Sequence, residues 1–257
     1  MSVPKKKARR GQCLNVFTPQ PELARYNPRL AILPVGSIEQ HSLHLPLGTD
    51  AIIAWHMSGR IAEALAEAGV ANYLLPTQPF ATSLEHKGFK GTVTLRPPTL
   101  ALVVKDIVGC LYEHGFKLVV VMNFHGGNFI LKPTIREINY TVPGMKTIYF
   151  DAMDVVTAAE VNNIFTNVDL HAGEVETSIM LALDPELVGK KRVDFIPSLS
   201  RPALDMYSFK KITPSGVWGR PSQATAAKGQ RFIDLFVLRA AEYIKTWVQL
   251  AEKDANY

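Results

Sequence analysis

The chain has 257 residues, of which 47% are hydrophobic and 20% are charged, a composition typical of a globular protein with enough apolar residues for a core. Its net charge of +5 arises at the N-terminus: without the five lysines and arginines of residues 1–10, 23 basic residues balance 23 acidic ones. The charge therefore predicts a basic flexible tail, residues 1–12, which could add weak, salt-sensitive attraction to phosphates, and argues against a nucleic-acid-binding protein.

Cysteine content and hydropathy limit the class of protein further. Cys13 and Cys110 are too few for a disulfide framework or a thiolate metal site. No apolar run approaches the roughly 18 residues that a transmembrane helix needs. No apolar segment follows the N-terminal charges, as it would in a secretory signal. We therefore expect a cytoplasmic enzyme that binds neither membranes nor nucleic acid.

Strand-like and helix-like segments alternate along the chain. Residues 30–35 (LAILPV) and 116–122 (FKLVVVM) predict buried strands. Apolar residues at helical spacing predict a long helix at 49–68 and an amphipathic helix near the C-terminus. The remaining predicted elements are strands at 73–75 and 147–151 and helices at 99–114, 129–140, from 173 onward, and 230–252.

This alternation indicates βαβ crossovers. It predicts one α/β domain, residues 13–257, with a mainly parallel sheet and helices on both faces. Residues 190–228 are rich in Pro, Ser and Gly and predict no regular element.

Two polar segments follow predicted strands directly. They are residues 36–50 (GSIEQHSLHLPLGTD) and 123–128 (NFHGGN). The carboxyl ends of parallel strands meet at one edge of a sheet, where open α/β sheets bind ligands. Carboxylates and imidazoles suit divalent zinc, manganese or iron. The candidate metal ligands in these segments are Glu39, His41, Asp50 and His125.

Each of these residues also has a plainer interpretation. Asp50 can be a helix N-cap or first-turn acid. Glu39 can be a surface-loop acid, and His125 can form a hydrogen bond within a Gly-Gly turn. We interpret His56 as a structural histidine and His114 as a helix-end residue near the negative end of the helix dipole. The combination of candidates after two strands favours the metal site.

A third informative segment spans residues 170–181 (LHAGEVETSIML). On a helix, Glu176 shares a face with Ile179 and Met180. Because a buried acid is costly unless it is paired or bound to metal, Glu176 is a candidate for the site. Glu174 points elsewhere and is a weaker candidate. The alternative for Glu176 is a first-turn acid that accepts hydrogen bonds from backbone amides.

These segments resemble the creatininase (creatinine amidohydrolase) family. VGSIEQHSLHLPLGTD is similar to its signature, NFHGGN to its second motif and LHAGEVETSIML to its third; SLEHKGFKGTVTL and GVWGRPSQATAAKG support the match. The resemblance implies a creatininase-like fold in which Asp50 bridges two metals, Glu39 and His125 bind one, His41 binds the other, and His171 is catalytic.

The resemblance also implies the chemistry. It implies two divalent ions per chain (Zn, Mn or Fe), a small-molecule substrate with a cyclic amide or formamide C–N bond, and a homo-oligomer, often a hexamer. The sequence departs from the family pattern at Ser42 and Phe124, where glycine is usual. Creatininase also has a glutamate ligand where this chain has Gly127, which argues against creatinine as the substrate. The second metal then requires another ligand, such as a carboxylate from the Glu174–Glu176 segment, or it binds more weakly.

We expect a metal-activated water to attack the amide carbonyl while His171 transfers a proton to the leaving nitrogen, with Glu176 as a second catalytic candidate. One alternative is a metal-dependent hydrolase of another bond, such as a phosphoester. It is disfavoured because residues 36–50 and 123–128 contain no Arg or Lys. The other alternative is a non-catalytic metal-binding protein, although a structural zinc site normally relies on cysteine.

Overall fold

The computed structural model describes residues 12–151, 154–166 and 169–253. The predicted basic tail lies outside the described residues except for Gln12. The strands are β1 (Cys13–Asn15), β2 (Leu30–Val35), β3 (Asn72–Leu74), β4 (Leu118–Asn123) and β5 (Lys146–Asp151). The helices are α1 (Gln20–Tyr26), α2 (Thr49–Glu67), α3 (Pro97–Glu113), α4 (Leu131–Thr141), α5 (Ala158–Asn162), α6 (Glu174–Leu183), α7 (Phe209–Ile212) and α8 (Ala226–Lys253).

The strands form one parallel, five-stranded sheet in the order β1-β3-β2-β4-β5. The central strands β2 and β4 are buried along their whole length. Val35 pairs with Asn123, and Asn123 pairs with Asp151, so the last residues of β2, β4 and β5 lie side by side. The loops that follow these strands therefore leave from the same edge of the sheet.

Helices cover both faces of the sheet. Alternate residues of a strand point to opposite faces, so Ile32 packs in one apolar cluster while Ala31 and Leu33 pack in the other. The first cluster includes residues of α2, α6 and α8, and the second includes residues of α3 and α4. The predicted α/β fold with a parallel sheet and helices on both faces is confirmed.

Some element boundaries differ from the sequence predictions, and the differences have physical causes. Helix α3 begins at Pro97, because proline is well suited to the first turn of a helix. Strand β1 and helices α1, α5 and α7 were not predicted, because they have seven residues or fewer and show too little periodicity to recognise. His114 lies at the C-cap of α3, in agreement with its interpretation as a helix-end residue. His56, which we interpreted as a structural histidine, is exposed on α2.

Among the described residues, no helix combines the length and apolar character required to cross a membrane.

Candidate metal centre

The segments after β2 and β4 converge at the carboxyl edge of the sheet. Glu39 and His41 lie in the loop between β2 and α2, and Asp50 lies in the first turn of α2. His125 lies in the turn after β4. This turn is held in place by Asn128, whose side chain donates hydrogen bonds to the Gly36 carbonyl at 3.2 Å and to Asn123 Oδ1 at 3.0 Å.

The predicted ligands Glu39, His41, Asp50 and His125 are all buried, and a series of contacts links their side chains. Asp50 Oδ1 lies 3.2 Å from His41 Nε2, and Asp50 Oδ2 lies 3.2 Å from His125 Nδ1. Glu39 Oε2 lies 3.0 Å from His125 Nε2. Asp50 therefore sits between two imidazoles and presents a different carboxylate oxygen to each.

Helix α6 brings one of its two glutamates to this cluster. Glu176 Oε2 lies 3.8 Å from His41 Nε2 and accepts a hydrogen bond of 2.6 Å from the backbone N–H of Ala172. Its side chain is 26% exposed, so it lies on the more open side of the cluster. Glu174 instead is fully buried and pairs with Lys228. The structure brings Glu176, and not Glu174, to the other candidates.

His171 also lies against the cluster. An isolated β-bridge with Trp218 fixes its backbone, and its Nδ1 lies 3.6 Å from Glu39 Oε1. Burial lowers the pKa of His171 well below its usual value, and the nearby His41 charge adds to this effect. In the neutral ring, Nε2–H donates to the Gln40 carbonyl at 2.7 Å. Its Nδ1 is then free to accept a proton.

Donor atoms in this cluster form three groups, each within 4.8 Å and able to hold a metal ion. Their members are Glu39, Asp50 and His125; His41, Asp50 and Glu176; and Glu39, His41 and His171. The first two groups share only Asp50. A carboxylate shared in this way is the arrangement that a pair of metal ions requires.

The carboxylates fit such ions. Both oxygens of Glu39 and Oδ2 of Asp50 are buried without a hydrogen bond, which is unusual for buried polar atoms. Divalent metals of the zinc, manganese and iron type accept this set of oxygen and imidazole donors. The residues present therefore fit a pair of divalent metals.

The pKa values of the buried carboxyl groups indicate that the cluster needs additional positive charge. Burial raises the pKa of Glu39 to about 8 and that of Glu176 to about 7. Although burial also disfavours ionised Asp50, the adjacent His41 and His125 hold the pKa of Asp50 well below its usual value. A bound cation lowers the pKa of a neighbouring carboxyl group. Divalent ions at this position would therefore keep all three carboxylates ionised.

The structure adds residues that the sequence analysis did not select. Glu85 and His86 lie in a 3-10 turn, Leu84–His86. His86 Nε2 lies 3.1 Å from Glu39 Oε1, and its ring stacks on Phe209 of α7 with centroids 4.4 Å apart. The segment SLEHKGFKGTVTL contains both residues, but nothing in its local pattern indicates which side chains turn inward.

Arg201 is a further addition. A Cβ at Gly126 would lie 3.6 Å from Arg201 Nη2, which places the guanidinium beside the turn that carries His125. Residues 36–50 and 123–128 themselves contain no Arg or Lys, but the fold brings this residue, distant in sequence, next to the second segment.

Comparisons with known proteins point to one family. The family model Creatininase, described as creatinine amidohydrolase, matches residues 18–244. The chain is 30% identical over 225 residues to the mycofactocin precursor peptide peptidase of Mycolicibacterium smegmatis, covering 85% of each chain. It is 30% identical over 254 residues to the creatinine amidohydrolase of Pseudomonas putida, covering 90% of this chain and 96% of the relative. A solved structure of manganese creatininase aligns with a TM-score of 0.78 at 25% identity, covering 91% of this chain and 98% of that one.

Proposed function

The chain belongs to the creatininase family of amidohydrolases, and we propose that it hydrolyses a non-standard amide, a cyclic amide or formamide, at a dinuclear metal centre. The observation that carries this proposal is the position of Asp50. Each of its oxygens faces a different imidazole, and it is the one residue shared by the two donor groups that contain His125 and Glu176.

We assign the ligands by these donor groups. Glu39, Asp50 and His125 would hold one ion, and His41, Asp50 and Glu176 would hold the other. Bound divalent metal supplies a water whose pKa falls from 15.7 toward roughly 7 and a Lewis acid that polarises the amide carbonyl. Zinc, manganese and iron all suit these donors, and the manganese-containing relative supports this range.

The protein groups around the centre would move the protons. His171 Nδ1 faces Glu39 and is free to accept a proton, because Nε2–H is committed to the Gln40 carbonyl. We assign His171 to carry a proton to the leaving nitrogen. Glu176 is the partly exposed carboxylate of the cluster, so it is the second candidate for contact with substrate.

The proposal extends to the cellular location, oligomeric state and metal content of the enzyme. We propose a cytoplasmic homo-oligomer, for which a hexamer is one expected form. Each chain would bind two ions and act on a small-molecule amide. The free thiols of Cys13 and Cys110 agree with a reducing compartment. Light scattering of the purified protein measures the oligomeric state directly.

The test of function is hydrolysis by wild type and Asp50→Ala. Metal-loaded wild type should hydrolyse at least one member of a panel of formamides and cyclic amides. Formamides are detected by the formate and free amine that they release, and cyclic amides by the ring-opened product that carries both the new carboxylate and the new amino group. Asp50→Ala should lose at least about 10³-fold in rate, because the shared ligand provides several kcal/mol of transition-state stabilisation. Asp106→Ala, an exposed aspartate of α3, is the matched control and should retain wild-type activity.

Two results would contradict the proposal. One is an Asp50→Ala protein with near-normal metal content and rate. The other is hydrolysis of p-nitrophenyl phosphate without hydrolysis of any amide, which would instead indicate a phosphoesterase that uses the neighbouring Arg201.

A further inference from the structure

Glu85 directs a carboxylate toward the metal centre from a segment outside the assigned ligands. It lies in the 3-10 turn Leu84–His86, next to His86, which contacts Glu39. Its Oε1 lies 3.4 Å from His125 Nε2, and its side chain is only 17% exposed. No lysine or arginine of the described residues forms an ion pair with it, so this carboxylate is not part of a surface salt bridge.

The Glu85 carboxylate fills the space that a side chain at position 127 would need. A Cβ built on Gly127 would lie 2.1 Å from Glu85 Oε1, 2.4 Å from His125 Nε2 and 2.6 Å from the Thr82 carbonyl oxygen. Residue 127 must therefore be glycine in this arrangement. A carboxylate still reaches this place, but it comes from the turn at residue 85.

The contacts of His125 define what this carboxylate can do. Nε2 lies 3.0 Å from the Thr82 carbonyl, which accepts its hydrogen, while Nδ1 lies 3.2 Å from Asp50 Oδ2. Metal-bound histidines generally donate their other ring N–H to a carbonyl or carboxylate, which fixes the ring and increases its basicity as a ligand. Glu85 lies beside that N–H and places negative charge next to it.

Charge balance supports the same role. Two divalent ions carry four positive charges, whereas Glu39, Asp50 and Glu176 supply three negative ones. The Glu85 carboxylate is a further acidic group beside this site, where uncompensated positive charge is costly.

We propose that Glu85 is a positioning residue of the metal centre, which strengthens binding of the ion held by Glu39, Asp50 and His125 through its charge beside His125. This inference rests on the proposed function. It adds a ligand-supporting carboxylate from a separate segment of the chain.

The test is zinc affinity, measured by competition with a chromophoric chelator on the full-length protein. Glu85→Gln keeps the shape of the side chain and removes its charge. This substitution should lower the affinity for one of the two bound zinc ions by about 10- to 100-fold. Glu85→Asp keeps the charge and should recover part of this loss. Glu113→Gln, an exposed glutamate at the end of α3, is the control and should bind zinc as wild type does.

Thermal unfolding of the metal-free proteins separates this role from a purely structural one. The midpoint of Glu85→Gln should match wild type without metal and fall below it only when zinc is present. If Glu85→Gln is unstable, Glu85→Ala should show the same weakened binding of one ion. Wild-type zinc affinity in folded Glu85→Gln would overturn this inference alone, whereas a wild-type protein that binds no divalent metal would overturn the proposed function as well.

Discussion

At the residue scale, the close approach of two backbone segments shapes the centre. The turn that carries His125 lies against Thr82, whose hydroxyl donates to the Gly127 carbonyl at 2.7 Å. The Thr82 carbonyl in turn lies 3.0 Å from His125 Nε2. There is no room for a side chain between these groups, so the absence of a Cβ at Gly127 is a requirement of the site.

Gly127→Ala tests this requirement. The added Cβ would lie 2.6 Å from the Thr82 backbone oxygen and 2.4 Å from the His125 ring, so one segment must move. We expect a loss of about 1–3 kcal/mol in the free energy of unfolding, together with loss of bound metal by elemental analysis. Gly126→Ala is the control, because its Cβ would make only an ordinary contact of 3.6 Å with Arg201. Full metal content in Gly127→Ala would contradict this account.

Sequence alone selected Glu39, His41, Asp50, His125, His171 and Glu176, and the structure brings these side chains together. The first four could be selected because they follow strands that end at the same edge of a parallel sheet. Glu85 and His86 could not be selected in this way, because their turn meets the site only through the three-dimensional fold. The assignment of the six residues selected from sequence as ligands or catalytic groups is a proposal.

At the element scale, the crossing of α6 and α8 sets the position of Glu176. A Cβ on Gly229 of α8 would lie 1.8 Å from the Ser178 carbonyl oxygen of α6. The helices therefore approach so closely that only glycine fits at the crossing. Because Glu176 lies in the first turn of α6, a displacement at this crossing would be transmitted to the metal centre.

Gly229→Ala should destabilise the protein by about 1–3 kcal/mol, because the added methyl group forces two packed helices apart. Gly109→Ala in α3 is the matched control. Its Cβ would meet no atom within 4 Å, so removal of a helical glycine should stabilise the protein by about 0.5–1 kcal/mol. Urea denaturation measures both values. Equal effects of the two substitutions would show that the crossing is not tight.

The elements that sequence predicted well are those with a long apolar pattern, such as β2, β4, α2 and α8. Helix α7 was missed because it has only four residues and lies in the Pro-, Ser- and Gly-rich region. Its Phe209 nevertheless packs on His86 at the site. A short element with no periodicity of its own can thus support the centre, and local pattern does not reveal this.

At the scale of the whole molecule, the parallel sheet explains why one edge carries the chemistry. Two apolar layers bury β2 and β4 completely, which leaves the loops at their carboxyl ends as the place where polar groups converge. The chain covers 96% of the Pseudomonas putida creatinine amidohydrolase and matches the family model over residues 18–244. The fold and the family therefore extend over nearly the whole chain.

The most direct test of the central claim is the amount of metal bound to wild type and to His125→Ala, both purified without chelators and measured by elemental analysis. We expect about two divalent ions per wild-type chain, as in a two-metal hydrolase site. His125→Ala should retain clearly less metal, because His125 belongs to one of the two donor groups that share Asp50. A metal-free wild-type chain, or a His125→Ala protein with unchanged metal content, would contradict the account.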